Sequence, residues 1–262
     1  MSIIKKCEAI VLRSTNYQDT SKILTLYTKE FGKLSAIAKG CRSPQSKYAS
    51  AFELGSHISL VLYKKSTREV QNISDASVKT PFLRIPSSLE RVGVMMEILE
   101  LVRLTTEEED AQPKIFNLLL ESLRAVDSLQ KNVRTVLFYF QAHLIALLGF
   151  QPRFGVCVIS LKNLFSALQS ASDKQLWLLP EYGGVALRVE AERLGLSGKP
   201  ISVQALRWIQ RLLESQLREV ENLHLQPALY SEVSDVFDAY FRYHIEDLPP
   251  LRSREVFNAL MR

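Results

Sequence analysis

The sequence predicts an α+β protein: a small amino-terminal β-barrel followed by a larger, mainly α-helical part. Three observations predict it. Apolar residues alternate with a period of two as far as about residue 74, and after Pro81 and Pro86 they recur with a period near 3.6. Positive charge gathers in the first quarter, where residues 1–72 hold twelve Lys or Arg against five acids, a net of +7 that leaves −2 for the rest. With 262 residues, 47% of them hydrophobic and 23% charged, the chain has the ordinary composition of a protein that folds by burying a core, in one large or two modest domains.

The strands come first. Residues 7–13 set Ile10 and Leu12 on one face and Ala9, Val11 and Arg13 on the other, and residues 22–29 set Leu24 and Leu26 against Ile23, Thr25 and Tyr27. Glu30-Phe31-Gly32 forms the turn, since Gly32 can adopt a positive φ. Residues 33–39 return with Leu34, Ala36 and Ala38 inward, which sends Lys33, Ser35, Ile37 and Lys39 outward. A strand at 56–63 buries Ile58, Leu60 and Leu62, and a shorter one follows at 69–73. Five strands in about seventy residues, with a short helix near 48–52, match a small closed barrel of the OB type. The domain boundary is expected between residues 80 and 81.

Helices follow. Ser87-Ser88-Leu89-Glu90 reads as a capping box with Ser87 as N-cap, opening a helix through Val92, Met95, Met96, Leu99 and Val102. Pro113 opens a second through Ile115, Leu118, Leu119 and Leu123. A third runs over 132–148, apolar on nearly every side and stopped by Gly149, so it is expected at the centre of a bundle. Residues 151–200 read as an irregular insertion with a helix at 161–169 and a strand-like Leu176-Trp177-Leu178-Leu179, held by Phe154, Leu161, Phe165, Trp177 and Leu179. Helical period returns at 202–223 and 229–244.

Catalytic templates fail. GxSxG and HExxH are absent, and Gly195-Leu196-Ser197-Gly198-Lys199-Pro200 has the wrong glycine spacing for a phosphate loop and proline where Ser or Thr must bind magnesium. Four histidines stand at no ligand spacing, with His143 read as a satisfied core residue, and the acids at 107–110 as a solvated run beside the next helix's N-terminus. Three scattered cysteines give neither a disulfide framework nor a complete zinc site. No signal-like or membrane-spanning run interrupts the charges, so a soluble, cytoplasmic, non-enzymatic protein is expected.

The basic amino-terminal region survives this filter. Tyr17, Tyr27, Phe31, Tyr48, Phe52 and Tyr63 are interleaved with its cations, the combination by which a groove tracks phosphates and stacks bases. Phe31 and Phe52 are assigned to the core; Tyr27, outward by alternation, stands open between stacking and core. Arg13, Lys33, Lys39, Arg42 and Lys47 form the expected DNA-contacting set, and five neutralised phosphates of a single strand give a slope of log K on log salt near roughly −3.5.

Several stretches together resemble one family, the bacterial recombination mediator RecO. They are Ala9-Ile10-Val11-Leu12-Arg13 with Tyr17, Lys22-Ile23-Leu24-Thr25-Leu26-Tyr27-Thr28, Phe31-Gly32-Lys33-Leu34-Ser35, Ala38-Lys39-Gly40, and Arg42-Ser43-Pro44 with Ser46. Leu147-Leu148-Gly149-Phe150-Gln151-Pro152 with Cys157, Gly183-Gly184-Val185, and Leu251-Arg252-Ser253-Arg254-Glu255 continue the likeness in order along the chain. The resemblance implies an OB barrel with a helical domain. It also implies a protein that binds single- and double-stranded DNA, anneals complementary strands, and helps load recombinase onto strands coated by single-strand-binding protein, together with RecR. It assigns the helical domain a meeting with the acidic, apolar-ended tail of single-strand-binding protein, for which Arg103, Arg124, Lys131 and Arg134 are the candidate cations. Many members carry a four-cysteine zinc module after the Gly-Phe-x-Pro segment. Here Cys157 alone matches, with Ser160 at the second position and Ala186-Leu187 after the glycine pair, so no metal and no other cofactor is expected. The competing readings are a general RNA- or single-strand-binding OB protein with a helical partner-binding domain, and an enzyme whose site escapes these templates.

Overall fold

The computed structural model describes residues 3–260 apart from Lys47, Ala49, Ser66 and 171–172. The chain forms two compact units, Met1–Ser128 with Pro250–Arg262, and Leu129–Pro249.

In the first unit β1 (Ile3–Tyr17), β2 (Ser21–Thr28), β3 (Gly32–Ala38), β4 (His57–Lys64) and β5 (Val70–Thr80) close into a barrel in the order β1-β2-β3-β5-β4. β1 pairs antiparallel with β4 from Ile3↔Lys64 to Ile10↔His57, and β3 pairs parallel with β5 at Ser35↔Val70 and Ile37↔Asn72. Alternation fills the interior with Leu24, Leu26, Leu34, Ala36, Ala38, Ile58, Leu60 and Leu62, as the sequence predicts. Fully burying a side chain of the Leu or Ile class contributes about 1.5–3 kcal/mol, so this set supplies the barrel's main stabilisation. Phe52 and Cys41, from the connection between β3 and β4, join the same core. The described residues of that connection form turns instead of the expected helix, and β5 runs on to Thr80, well beyond the expected short strand.

β1 contains a bulge. Its pairing with β2 steps from Val11↔Leu26 to Arg13↔Thr25, so Leu12 has no partner of its own. Below the bulge Cys7, Ala9 and Val11 point into the core; above it the same parity, Arg13, Thr15 and Tyr17, faces out. Ile10 and Leu12 are buried on the outer side, on the strand against which α1 packs.

α1 (Leu89–Thr105) begins at Ser88, whose hydroxyl accepts from the Arg91 amide. The cap is therefore one residue later than predicted, because Ser87 ends a 3-10 turn (Ile85–Ser87) and donates its own hydroxyl to the Arg84 carbonyl. α2 (Pro113–Ser128) starts at its proline, and the Arg91 guanidinium donates to the Val126 carbonyl. The closing motif starts a helix the sequence reading does not anticipate; it is labelled α8 (Arg252–Leu260) below, after the elements of the second unit. Glu100 Oε2 accepts from both the amide and the hydroxyl of Ser253, at 2.9 and 2.6 Å, while Arg254 pairs at 2.9 Å with the buried carboxylate of Glu97.

In the second unit α3 (Val133–Leu147) is the expected central helix, packed on α6 (Val203–Glu214), α7 (Pro227–His244) and a 3-10 turn (Leu217–Asn222). Phe138 anchors it, stacked on Phe237 at 6.0 Å and edge-on to Trp208 at 5.7 Å. His143 meets the Tyr139 carbonyl at 2.8 Å, a satisfied histidine as expected. Residues 151–200 are more regular than the sequence reading holds: β6 (Arg153–Cys157), β7 (Leu176–Leu179), β8 (Gly184–Leu187) and β9 (Lys199–Ile201) form a sheet in the order β6-β8-β7-β9, with α4 (Leu164–Ser170) and α5 (Arg188–Glu192) beside it. Gly184 permits the β6–β8 approach, since a Cβ there would stand 2.2 Å from the Arg153 carbonyl oxygen. Phe154 and Leu179 are buried in this region, but Leu161 is 68% exposed at a turn with φ +60, so it is no part of the packing expected of it. Among the described residues no helix is long and apolar enough to cross a membrane.

One buried polar network ties the barrel to α2. His57 lies on β4 with its Nε2 2.6 Å from Glu8 and its Nδ1 2.8 Å from the Thr80 hydroxyl; Lys79 pairs with the other Glu8 oxygen, and the ring meets Phe116 of α2. Burial holds the imidazole below its ordinary 6.5 against the opposing pull of Glu8. Burial acts to raise Glu8, but the hydrogen bonds from Lys79 and His57 outweigh it and hold the carboxyl below 4.5. Both shifts are downward, so on acidification the unfolded chain takes up protons first, and the stability present above pH 6.5 is lost as pH falls toward the folded values. Urea midpoints should therefore drop between pH 7.5 and pH 5, roughly the range in which an ordinary histidine titrates. His57→Gln, which keeps a donor toward Glu8, should flatten that dependence, and an unchanged slope would remove His57 as its source.

Candidate nucleic-acid interface

One face of the barrel presents Arg13 and Lys39, two of the exposed cations that carry no ion pair among the described residues. Register places Arg13, Thr15 and Tyr17 of β1 beside Thr25, Ile23 and Ser21 of β2, next to Ser35 and Ile37 of β3, with Val70 and Asn72 of β5 completing the row. Lys39 continues the outward parity of β3 past Ala38. Arg13 and Lys39 are exposed and have no ion pair among the described residues, whereas Ile23 and Ile37 are half-buried between them. None of the residues in that row is acidic; Asp19 lies in the β1–β2 turn at its end. The connection that follows β3 folds back on the β1–β2 turn: the Arg42 amide donates to the Thr20 carbonyl at 2.8 Å and its guanidinium to the Gln18 carbonyl at 3.2 Å, leaving the Arg42 side chain exposed. The chemistry offered is that of a polyanion track: positive charge at the edges, an apolar floor, and hydroxyl and amide groups between them.

The other end of the same face is closed. The segment joining α1 to α2 runs past the start of β3, where the Glu109 amide donates to the Lys33 carbonyl at 2.8 Å. Gly32 is required there twice over, by φ +68 and because a Cβ would stand 1.9 Å from the Asp110 carbonyl oxygen. The Lys33 ammonium donates to the carbonyls of Arg103 and Thr106 at the carboxyl end of α1 and lies 3.8 Å from Glu108; Lys64 pairs with Glu109 at 2.6 Å. Burial pushes Lys33 below the ordinary lysine value, Glu108 opposing and Arg103 adding to it. Tyr27 is wholly buried, and burial together with the Asp110 charge raises its phenol to about 12.

These positions correct two expectations. Lys33 does face away from the barrel interior, but it serves as the cap of a helix and is withdrawn from solvent. Tyr27, outward by parity, has no face on which a base could stack. Arg13, Lys39 and Arg42 stand together as exposed cations; Lys47 lies outside the described residues. Lys22, on the inner parity of β2, is held by Glu53 at 2.9 Å.

The four helical cations divide between the units. Arg103, 3.5 Å from Glu100, lines a groove of about 200 Å³ with that carboxylate, Leu12, Leu54, Met96, Leu99, Val256 and Arg252, while Arg124 is exposed and pairs with Glu121 at 2.7 Å. Lys131 and Arg134 belong to the other unit, Lys131 exposed and Arg134 over the Tyr230 ring at 5.7 Å. Arg252 goes unread in the sequence because α8 does. Cys157, the one cysteine that matches the zinc-module pattern, donates its thiol to Glu190 Oε2 at 2.7 Å, and Ser160, at the second position of that pattern, donates its hydroxyl to the same oxygen at 2.8 Å. Among the described residues no three His, Cys, Asp or Glu side chains gather at ligand distance. A single thiol sharing one carboxylate oxygen with a hydroxyl does not fit a four-thiolate zinc site.

A basic barrel face joined to a helical part defines a binding protein of the nucleic-acid-processing class. The chain matches the family models Recombination protein O N terminal over residues 1–82 and Recombination protein O C terminal over 86–255, and thus belongs to the RecO family of DNA repair proteins, mediators that are not enzymes. It is 46% identical to the DNA repair protein RecO of Chloroherpeton thalassium over 99% of this chain and 100% of that one. Identity is 33% to the DNA repair protein RecO of Chlorobium limicola, over 97% of each chain, and 30% to that of Pelodictyon phaeoclathratiforme, over 99% of each. The resemblance drawn from scattered motifs therefore extends over the whole chain.

The geometry of Lys33 separates a structural role from a binding one. Lys33→Met should lower stability in urea by about 1–3 kcal/mol, the cost of leaving half-buried carbonyls without their charged donor. Affinity for single-stranded DNA at fixed salt should stay within about twofold, because the Lys33 ammonium is held by the carbonyls of α1 and is withdrawn from solvent. Weakened DNA binding with unchanged stability would return Lys33 to the binding set.

Proposed function

We propose that this chain is a cytoplasmic, DNA-annealing recombination mediator. In this reading residues 1–80 are an OB-type domain that binds single- and double-stranded DNA, and residues 81–262 are a helical domain, containing a zinc-module-like insertion without its ligands at 151–200. The protein anneals complementary strands and, with RecR, helps load recombinase onto strands coated by single-strand-binding protein. The observation that carries the reading is the acid-free row on the barrel face, edged by Arg13, Lys39 and Arg42, in a chain of a DNA repair family. Such a face neutralises phosphates without reading sequence, which is what annealing of arbitrary complements demands.

The salt dependence follows from the number of cations. Arg13, Lys39 and Arg42 alone give a slope of log K on log salt near roughly −2 for a single strand, and Lys47 brings it near roughly −3. Purified protein should anneal complementary strands, bare or coated with single-strand-binding protein, without nucleotide hydrolysis. The double charge reversal Lys39→Glu with Arg42→Glu should abolish annealing, and annealing at the wild-type rate by that variant, or a flat salt response, would count against the reading.

For the tail of single-strand-binding protein, the groove between Arg103 and Arg252 supports the partner reading better than the isolated cations do. Its floor of Leu12, Leu54, Met96, Leu99 and Val256 suits an apolar chain end, and two guanidinium groups suit the carboxylates beside it. A labelled tail peptide should lose affinity on Arg252→Glu and keep it on Arg124→Glu and Arg134→Glu; the reverse pattern would move the site to those arginines.

A further inference from the structure

We propose that Tyr17 is the base-stacking platform of the barrel, selecting unpaired bases at the tip of the β1–β2 ribbon. The inference rests on the DNA-binding reading above and adds to it the residue that distinguishes a single strand from a duplex. β1 leaves β4 after Ile10↔His57 and continues with β2, so residues 13–17 and 21–25 form the end of a β1–β2 ribbon whose second strand also pairs with β3, from Lys22↔Ala38 to Thr25↔Ser35. Tyr17, 41% exposed, is the last residue of β1 and pairs with Ser21 across the turn.

An exposed tyrosine by itself is unremarked on any protein surface; three further observations bear on this one. The turn beneath it is rigid: Gln18 holds a left-handed φ of +50, and both the amide and the guanidinium of Arg42 are bonded to turn carbonyls. The ring is thus presented on an ordered backbone, and little backbone freedom remains to be lost when a base stacks. Cations share its side of the sheet: Arg13 is four residues earlier on the same outward parity of β1, Lys39 follows β3 at the Ser21 end of β2, and Arg42 is bonded to the turn itself. Finally, four of the other aromatics of the barrel are spent in packing, and the fifth lies elsewhere on the barrel. Tyr27 and Phe52 are buried, Phe31 and Tyr48 are half-buried against the core, and Tyr63, 40% exposed, stands opposite Ile4, where β1 pairs with β4 instead of β2.

A π-face can stack only on a base released from its own partner, so loss of the ring should fall on single strands. The test titrates the full chain with a single strand carrying 2-aminopurine and with a blunt duplex of the same sequence. Tyr17→Ala should bind the single strand roughly tenfold more weakly and lose the fluorescence quenching of the stacked base, while duplex affinity stays within about twofold. Tyr17→Trp should restore both signals, and Tyr63→Ala should change neither. Wild-type affinity and quenching in Tyr17→Ala, with salt-sensitive binding intact, would overturn the platform and leave the DNA-binding reading standing. Equal weakening on both substrates would overturn stacking in favour of a general loss of the ribbon, and a wild-type protein that binds neither DNA would end both proposals.

Discussion

The ammonium of Lys33, set on the last carbonyls of α1, is the contact from which the rest of the amino-terminal unit follows. A helix ends with carbonyls that lack intrahelical donors, and a buried carbonyl without one is costly. Lys33 supplies that donor from a strand of the barrel, so α1 ends against β3 and the acidic segment after it is laid along the strand's start. Glu108 and Glu109 then meet Lys33 and Lys64, and Gly32 makes room for the backbone of Asp110. One end of an outward sheet face is thereby paved with protein, and Arg13 and Lys39 remain exposed toward the other.

The bulge at Leu12 complements this division. A strand alternates sides without exception, and β1 must fill the core with Cys7, Ala9 and Val11 while carrying Arg13 on the solvent side. One unpaired residue changes the parity. The same strand therefore contributes to the barrel interior, to the surface under the helices through Ile10 and Leu12, and to the cationic face through Arg13 and Tyr17. Fold stability and the proposed binding surface occupy successive stretches of one element, which permits substitutions on the ribbon with little consequence for the core.

In the second unit one carboxylate holds a thiol and a hydroxyl together. Glu190 gathers the Cys157 thiol and the Ser160 hydroxyl, fastening the turn after β6 to α5, and the short sheet β6-β8-β7-β9 organises a stretch of only moderate apolar content. Hydrogen bonds of this kind contribute far less than a structural zinc. The remaining stability of the region comes from the burial of Phe154, Leu176, Leu178, Leu179 and Val185.

Local periodicity determined much of this by itself. The inward residues of β2, β3 and β4, the starts of α1 and α2 to within a residue, the all-round burial of α3 and the order of the family's motifs are legible because strand and helix periods are properties of neighbouring residues. Tertiary structure decided the rest. Alternation sends Lys33 and Tyr27 outward correctly, but whether an outward residue meets solvent depends on what is laid over it, and the cover here comes from residues more than seventy positions away. The same holds for the sheet in 151–200, for Arg254 reaching back to Glu97, and for the Leu12 bulge, which shifts parity without a glycine or proline to mark it. Sequence fixes the side of a strand on which a charge stands; only contacts between distant segments fix whether that side remains open to a ligand.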